Sequence, residues 1–282
     1  MIRRISIKNP AKSITGRWQN CKGLPQSGEI TFTPGLNIVW GENGTGKSTL
    51  LREIARQMHC EQGNRQKVTG RSIYEAKDQN SREEDGKRER GIEIDHDGAP
   101  ILFFDPNETV GVVGSAFDND FLSEGVALSM LRASAGETTA ARGTNAYNAL
   151  FKARPLPPLS WAAGRSEKEY PSLYRFLRGT PTPDVAPIPT LLLDEGERSL
   201  SITSQEAFWM NLCLRAWDKS LPPLQVIIAT HSPFALCLPQ VSYIEMTPGY
   251  MEQSIKVFGH SFLLMEHMKR ERRAEKEKKA QK

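Results

Sequence analysis

The chain has 282 residues, 38% of them apolar and 25% charged, with a formal net charge of +4. That length allows one sizeable globular domain with insertions, and no apolar run approaches the roughly 20 residues that span a bilayer. The charge is local: Lys269–Lys282 carries +5 and the remainder −1, so overall basicity is no argument that the body of the chain binds nucleic acid.

The opening MIRRISIKNP is basic but has no apolar signal core, so export is not expected. Its alternation, with Ile2, Ile5 and Ile7 apolar, predicts a strand. Glu29–Thr33 predicts a second, stopped by Pro34-Gly35. Leu36–Trp40 (LNIVW) is an apolar strand that runs straight into the glycine loop 41–49. Beyond it Leu50, Leu51, Ile54, Ala55 and Met58 recur at helical spacing. Residues 61–91 are dense in charged and amide side chains and read as a polar insertion.

Strands are expected at Gly91–Asp95 and Ile101–Phe104, with helices at 123–132 and 137–151. The prolines of 154–189 rule out a continuous helix or central strand, so this stretch reads as a covering segment. Thr190–Leu193 and Leu224–Ala229 are buried strands flanking an amphipathic helix at Gln205–Trp217, and Val241–Met246 closes the sheet. From Ser261 a terminal helix becomes steadily more charged. The expected division is a domain over 1–260 and a charged C-terminal helix or tail over 261–282. Cysteines at 21, 60, 213 and 237 form no C-x-x-C pair, which fits a reducing cytoplasm better than a metal site or disulfide framework.

The loop GENGTGKST has the residues and spacing of a phosphate cradle. Gly41, Gly44 and Gly46 let backbone N–H groups close around an anion, with Asn43 and Thr45 between them, and the helix N-terminus adds a favourable dipole. Lys47 brings a positive charge to the β and γ phosphates. Ser48 offers a hydroxyl to Mg²⁺, and Thr49 supports the α phosphate. A strand before and a helix after complete the context, so ATP and Mg²⁺ are the expected cofactors.

Leu191–Glu195 (LLLDE) is an apolar strand tipped by two acids. Asp194 suits the Mg²⁺ shell, and Glu195 suits orientation and activation of the attacking water. His231, just past the next strand in IIATHSP, is placed to reach the γ phosphate; the alternative is a capping or surface histidine. Catalytic candidates are therefore Glu195, His231 and Lys47.

With GENGTGKSTLL at 41–51, LLLDE at 191–195 and ATHSPF at 229–234, the chain resembles the ATP-binding-cassette ATPases. Within them it looks like the soluble branch related to SMC, RecF and OLD-type proteins. The resemblance implies an α/β P-loop head with a mixed sheet flanked by helices. It also assigns Ala133–Glu137 to a signature loop in which Ser134 and Gly136 contact the γ phosphate held by a second copy. Two ATP molecules are then sandwiched in a head-to-tail dimer. The family's glutamine loop has no glutamine here: the strand at Ile101–Phe104 ends in Asp105-Pro106-Asn107, so Asp105 or Asn107 is left to face the metal. Lys12 or Arg17 is the candidate for approaching the base and ribose.

For this branch the resemblance implies partners such as DNA, nucleases or toxin-like effectors of repair or phage defence. Rival readings are the ATPase subunit of a membrane transporter, disfavoured by the missing glutamine, and a nonenzymatic ATP-gated scaffold, disfavoured by intact Lys47, Asp194, Glu195 and His231.

Overall fold

A computed structural model describes residues 1–13, 15–58, 60–62, 65–66, 91–106, 188–198 and 200–280. Most of the polar insertion lies outside them, as do both helices expected between 123 and 151, Ser134, Gly136, Asn107 and nearly all of the proline-rich segment.

In chain order the elements are β1 (Ile2–Ile7), β2 (Gly28–Thr31), β3 (Leu36–Trp40), α1 (Lys47–Gln57) and the two-residue strands β4 (Glu61–Gln62) and β5 (Arg65–Gln66). They continue with β6 (Ile92–His96), β7 (Ile101–Phe104), β8 (Thr190–Asp194), α2 (Ile202–Trp217), β9 (Gln225–Ala229), β10 (Ser242–Glu245) and α3 (Tyr250–Ala280). Five strands form a parallel sheet in the order β10-β3-β9-β8-β7, and β2-β1-β6 form an antiparallel sheet. This is a mixed α/β architecture of the P-loop ATPase type.

Strands β3, β9, β8 and β7 are buried along their whole length because both faces are covered. Their period-2 alternation sorts the core into two layers. Val39, Phe103, Leu192, Ile227 and Ala229 pack with Leu50, Leu51 and Ile54 of α1 and with Ile2, Ile5 and Ile7 of β1. Leu36, Ile38, Trp40, Leu191, Leu193, Val226 and Ile228 pack on the opposite face with Trp209 and Cys213 of α2. The sheet thus lies between α1 with the antiparallel sheet on one side and α2 on the other.

One buried amide joins the two sheets. Gln225 Oε1 accepts from Ile2 N–H at 2.8 Å and from Thr190 Oγ at 2.9 Å, while Nε2 donates to Ile2 O at 2.8 Å and Thr33 O at 3.0 Å. Thr33, expected at the end of the second strand, lies beyond β2. Its N–H donates to Asn37 Oδ1, and its carbonyl accepts from Asn37 Nδ2, both at 2.8 Å, so this buried side chain shapes the turn into β3.

The terminal helix starts at Tyr250, not Ser261. Its apolar residues Ile255, Val257, Phe258, Phe262, Leu263 and Leu264 run round the helix, which hides the one-sided stripe that marks a helix in sequence. No helix among the described residues is long and apolar enough to cross a membrane.

Candidate nucleotide-binding and hydrolytic site

Three neighbouring parallel strands, β3, β9 and β8, end on one edge of the sheet, where open α/β sheets offer a crevice. The phosphate loop leaves β3, Asp194 and Glu195 tip β8, and Thr230 and His231 follow β9. Sequence positions up to 190 apart thereby converge.

The loop is shaped by its glycines for different reasons. Gly46, the residue capping α1, has φ 105°, and a Cβ there would lie 2.7 Å from Cys21 Cβ. Gly44 has φ 77° with open space around it. Gly41 is needed for packing: a Cβ would meet Met246 Cβ at 2.7 Å. Thr45 closes the turn by donating its hydroxyl to Glu42 O at 2.8 Å, and Asn43 is exposed at the apex. Thr49 Oγ accepts a weak contact from Cys21 Sγ at 3.5 Å.

Lys47 is buried, and its Nζ donates to Gly41 O and Glu42 O, both at 2.9 Å. Desolvation pushes its pKa down to about 8, against the pull of Glu195 and Asp194. Ser48 Oγ donates to Asp194 Oδ1 at 2.8 Å. Burial raises the Asp194 carboxyl to about 6 despite that bond; nearby Asp105 raises it further and Arg52 opposes.

Arg52, one helical turn after Ser48, pairs with Asp105 at 2.5 Å, lies 4.0 Å from Asp194 Oδ2 and stacks over the Phe103 ring at 5.6 Å. Asp105 is therefore in the site, held by an arginine, at the place where the resemblance calls for glutamine. Ser48, Arg52, Asp105, Asp194, Glu195 and Arg198 line a cleft of about 350 Å³.

Glu195 has φ 50°, an uncommon conformation for a residue with a side chain. Its N–H donates to Ala229 O at 2.9 Å, and its carboxylate accepts from Arg198 at 3.2 Å. His231 is half-buried. Burial first, then repulsion from Lys47, lowers its pKa, while Glu195 raises it, so all three groups share one field.

Behind them Thr230 donates its hydroxyl to Glu197 Oε1 and accepts from Ser232 N–H at 2.8 Å. Ser232 Oγ in turn accepts from Trp209 Nε1 at 3.1 Å and donates to Gln205 Oε1 at 3.2 Å.

The structure thus brings together Lys47, Ser48, Asp194, Glu195 and His231 at one edge. Ser134 and Gly136 lie outside the described residues. Sequence reasoning did not find Arg52, Glu197, Arg198 or Thr230. The available signals were the i, i+4 spacing of Arg52 from Ser48 and a second acid two residues after Glu195.

The residues fit Mg²⁺ with a nucleotide. A hydroxyl and a carboxylate oxygen 2.8 Å apart are the hard donors this ion prefers, and an ammonium stands beside a loop with glycines at positive φ.

Residues 17–108 match the family model described as an AAA domain, and the phosphate loop lies inside that stretch. No curated protein matches the chain. Among solved structures, a chain of a metal-chelate type ABC transporter in an inward-facing conformation aligns with 14% identity and a TM-score of 0.37, covering 88% of this chain and 80% of that one. A likeness this distant carries nothing about activity. The phosphate loop of this P-loop α/β fold thus lies in a stretch that is similar to an AAA domain.

Proposed function

We propose that the chain is a Mg²⁺-dependent ATPase in which Glu195 orients and activates the attacking water. The observation that carries this reading is the Ser48–Asp194 hydrogen bond, with Glu195 next in the chain and His231 at the tip of the adjoining strand. The glycine loop and Lys47 bind the β and γ phosphates. Ser48 and Asp194 hold the metal, which when bound supplies charge for the phosphate oxygens. Glu195 takes the water's proton at its carboxylate, and His231 approaches the γ phosphate.

By resemblance to the SMC, RecF and OLD-type branch, the output is a switch. ATP closes a head-to-tail dimer through Ser134 and Gly136, and hydrolysis reopens it. A separate effector such as a nuclease or toxin, in DNA repair or phage defence, is the partner this reading favours, with DNA as a further ligand and the cytoplasm as its compartment.

The mass in solution of Glu195→Gln, with and without Mg-ATP, tests the switch. A shift from monomer to dimer only with ATP is expected. A mass that ATP does not change would contradict the nucleotide-closed dimer.

A further inference from the structure

Glu197 is a buried acid that the proposed chemistry does not use. The residue is 5% exposed; Oε1 accepts from Thr230, and Oε2 has no hydrogen-bond partner among the described residues. Burying a half-satisfied carboxylate costs free energy that an apolar residue of similar size would not. Such an acid is poorly explained by stability alone.

Its position offers another explanation. Strands β8 and β9 run parallel as far as Asp194 and Ala229, and one backbone bond, Glu195 N–H to Ala229 O, continues the pairing past the strand tips. There the chains turn. Glu195 takes a left-handed conformation, and Arg198 N–H donates back to Glu195 O at 2.9 Å. The Glu197–Thr230 bond is the second tie between these turns. It joins a residue two positions after Glu195 to the residue immediately before His231. Thr230 passes the restraint on, because the same oxygen accepts from Ser232 N–H, and Ser232 is anchored to α2 through Trp209 and Gln205.

We infer that Glu197 is a positioning residue: through Thr230 it sets the placement of Glu195 relative to His231 for hydrolysis. This rests on the reading of Glu195 as the base. Neither Glu197 nor Thr230 belongs to the phosphate loop or to the Ser48–Asp194 pair, so the tie should affect turnover and leave ATP binding alone.

Turnover, KM for ATP and thermal midpoint are to be compared for Glu197→Ala, Thr230→Val, the double variant, and the conservative Glu197→Gln and Thr230→Ser. Glutamine keeps an oxygen for Thr230, and serine keeps the hydroxyl. The expected result is kcat down by about 10-fold or more in both disruptive single variants, with KM within about twofold. The double variant should be no worse than either single one. Both conservative variants should recover at least about half of wild-type kcat, which separates positioning from a general loss of structure.

Glu195→Gln is assayed alongside. Wild-type turnover in that variant overturns both readings. A dead Glu195→Gln with Glu197→Ala at wild-type kcat overturns this one alone, as do single losses that multiply in the double variant.

Discussion

Ser48 Oγ and Asp194 Oδ1, 146 positions apart in sequence, are joined by a 2.8 Å hydrogen bond that fixes the first turn of α1 against the tip of β8. Asp194 bears the cost of this arrangement. Its carboxyl is raised to about 6 from an ordinary value of 3.8, chiefly by burial. The folded state therefore holds the proton more tightly than the unfolded chain, and stability falls as pH rises through the window between those values. Asp194→Asn, which still accepts from Ser48, should stabilise the fold at pH 7.5 by up to about 3 kcal/mol and leave it nearly unchanged near pH 3.5. Chemical denaturation at the two pH values measures this. The same variant should lose Mg²⁺-dependent turnover.

Lys47 gives a second pH dependence. Its ammonium, held down to about 8 by desolvation, neutralises as pH rises past that value. Phosphate binding that needs the charge should weaken by about 10-fold between pH 7 and pH 9. Titration of a fluorescent ATP analogue checks this. Lys47→Ala should bind weakly at both pH values, without the slope.

Two glycines of the loop should respond differently to alanine. Gly44 needs only its positive φ, and Gly44→Ala should cost about 1–2 kcal/mol of stability. At Gly46 the same strain is joined by a 2.7 Å clash with Cys21 Cβ, so Gly46→Ala should cost at least about twice as much. Thermal or urea unfolding of the pair would test the ranking.

Gln225→Leu should weaken the junction between the sheets. It takes the acceptor from Ile2 N–H and the Thr190 hydroxyl and a donor from Ile2 O, while Thr33 O keeps its bond from Asn37. The expected loss is about 3 kcal/mol, read as a lower urea midpoint at unchanged slope.

Much of the frame is legible locally. LNIVW and ILFF are apolar runs bounded by turn residues, and they become β3 and β7 at the expected bounds. The loop residues Gly41–Thr49 and the acids of β8 carry their chemistry in contiguous sequence. What cannot be read locally depends on distant partners. Gln225 looks like an ordinary polar residue at the start of an apolar strand until Ile2 is placed next to it. Arg52 resembles a solvated helix residue until Asp105 arrives at the end of β7. Glu197 and Thr230 become a pair only because β8 and β9 are neighbours. The early start of α3 is hidden by apolar residues on every side, which leave no stripe to count.

The most direct test is turnover by Glu195→Gln measured together with its ATP affinity. The account predicts a dissociation constant within about twofold of wild type and a kcat reduced by at least about 100-fold. Undiminished hydrolysis in a variant that binds ATP normally would contradict Glu195 as the group that activates the water.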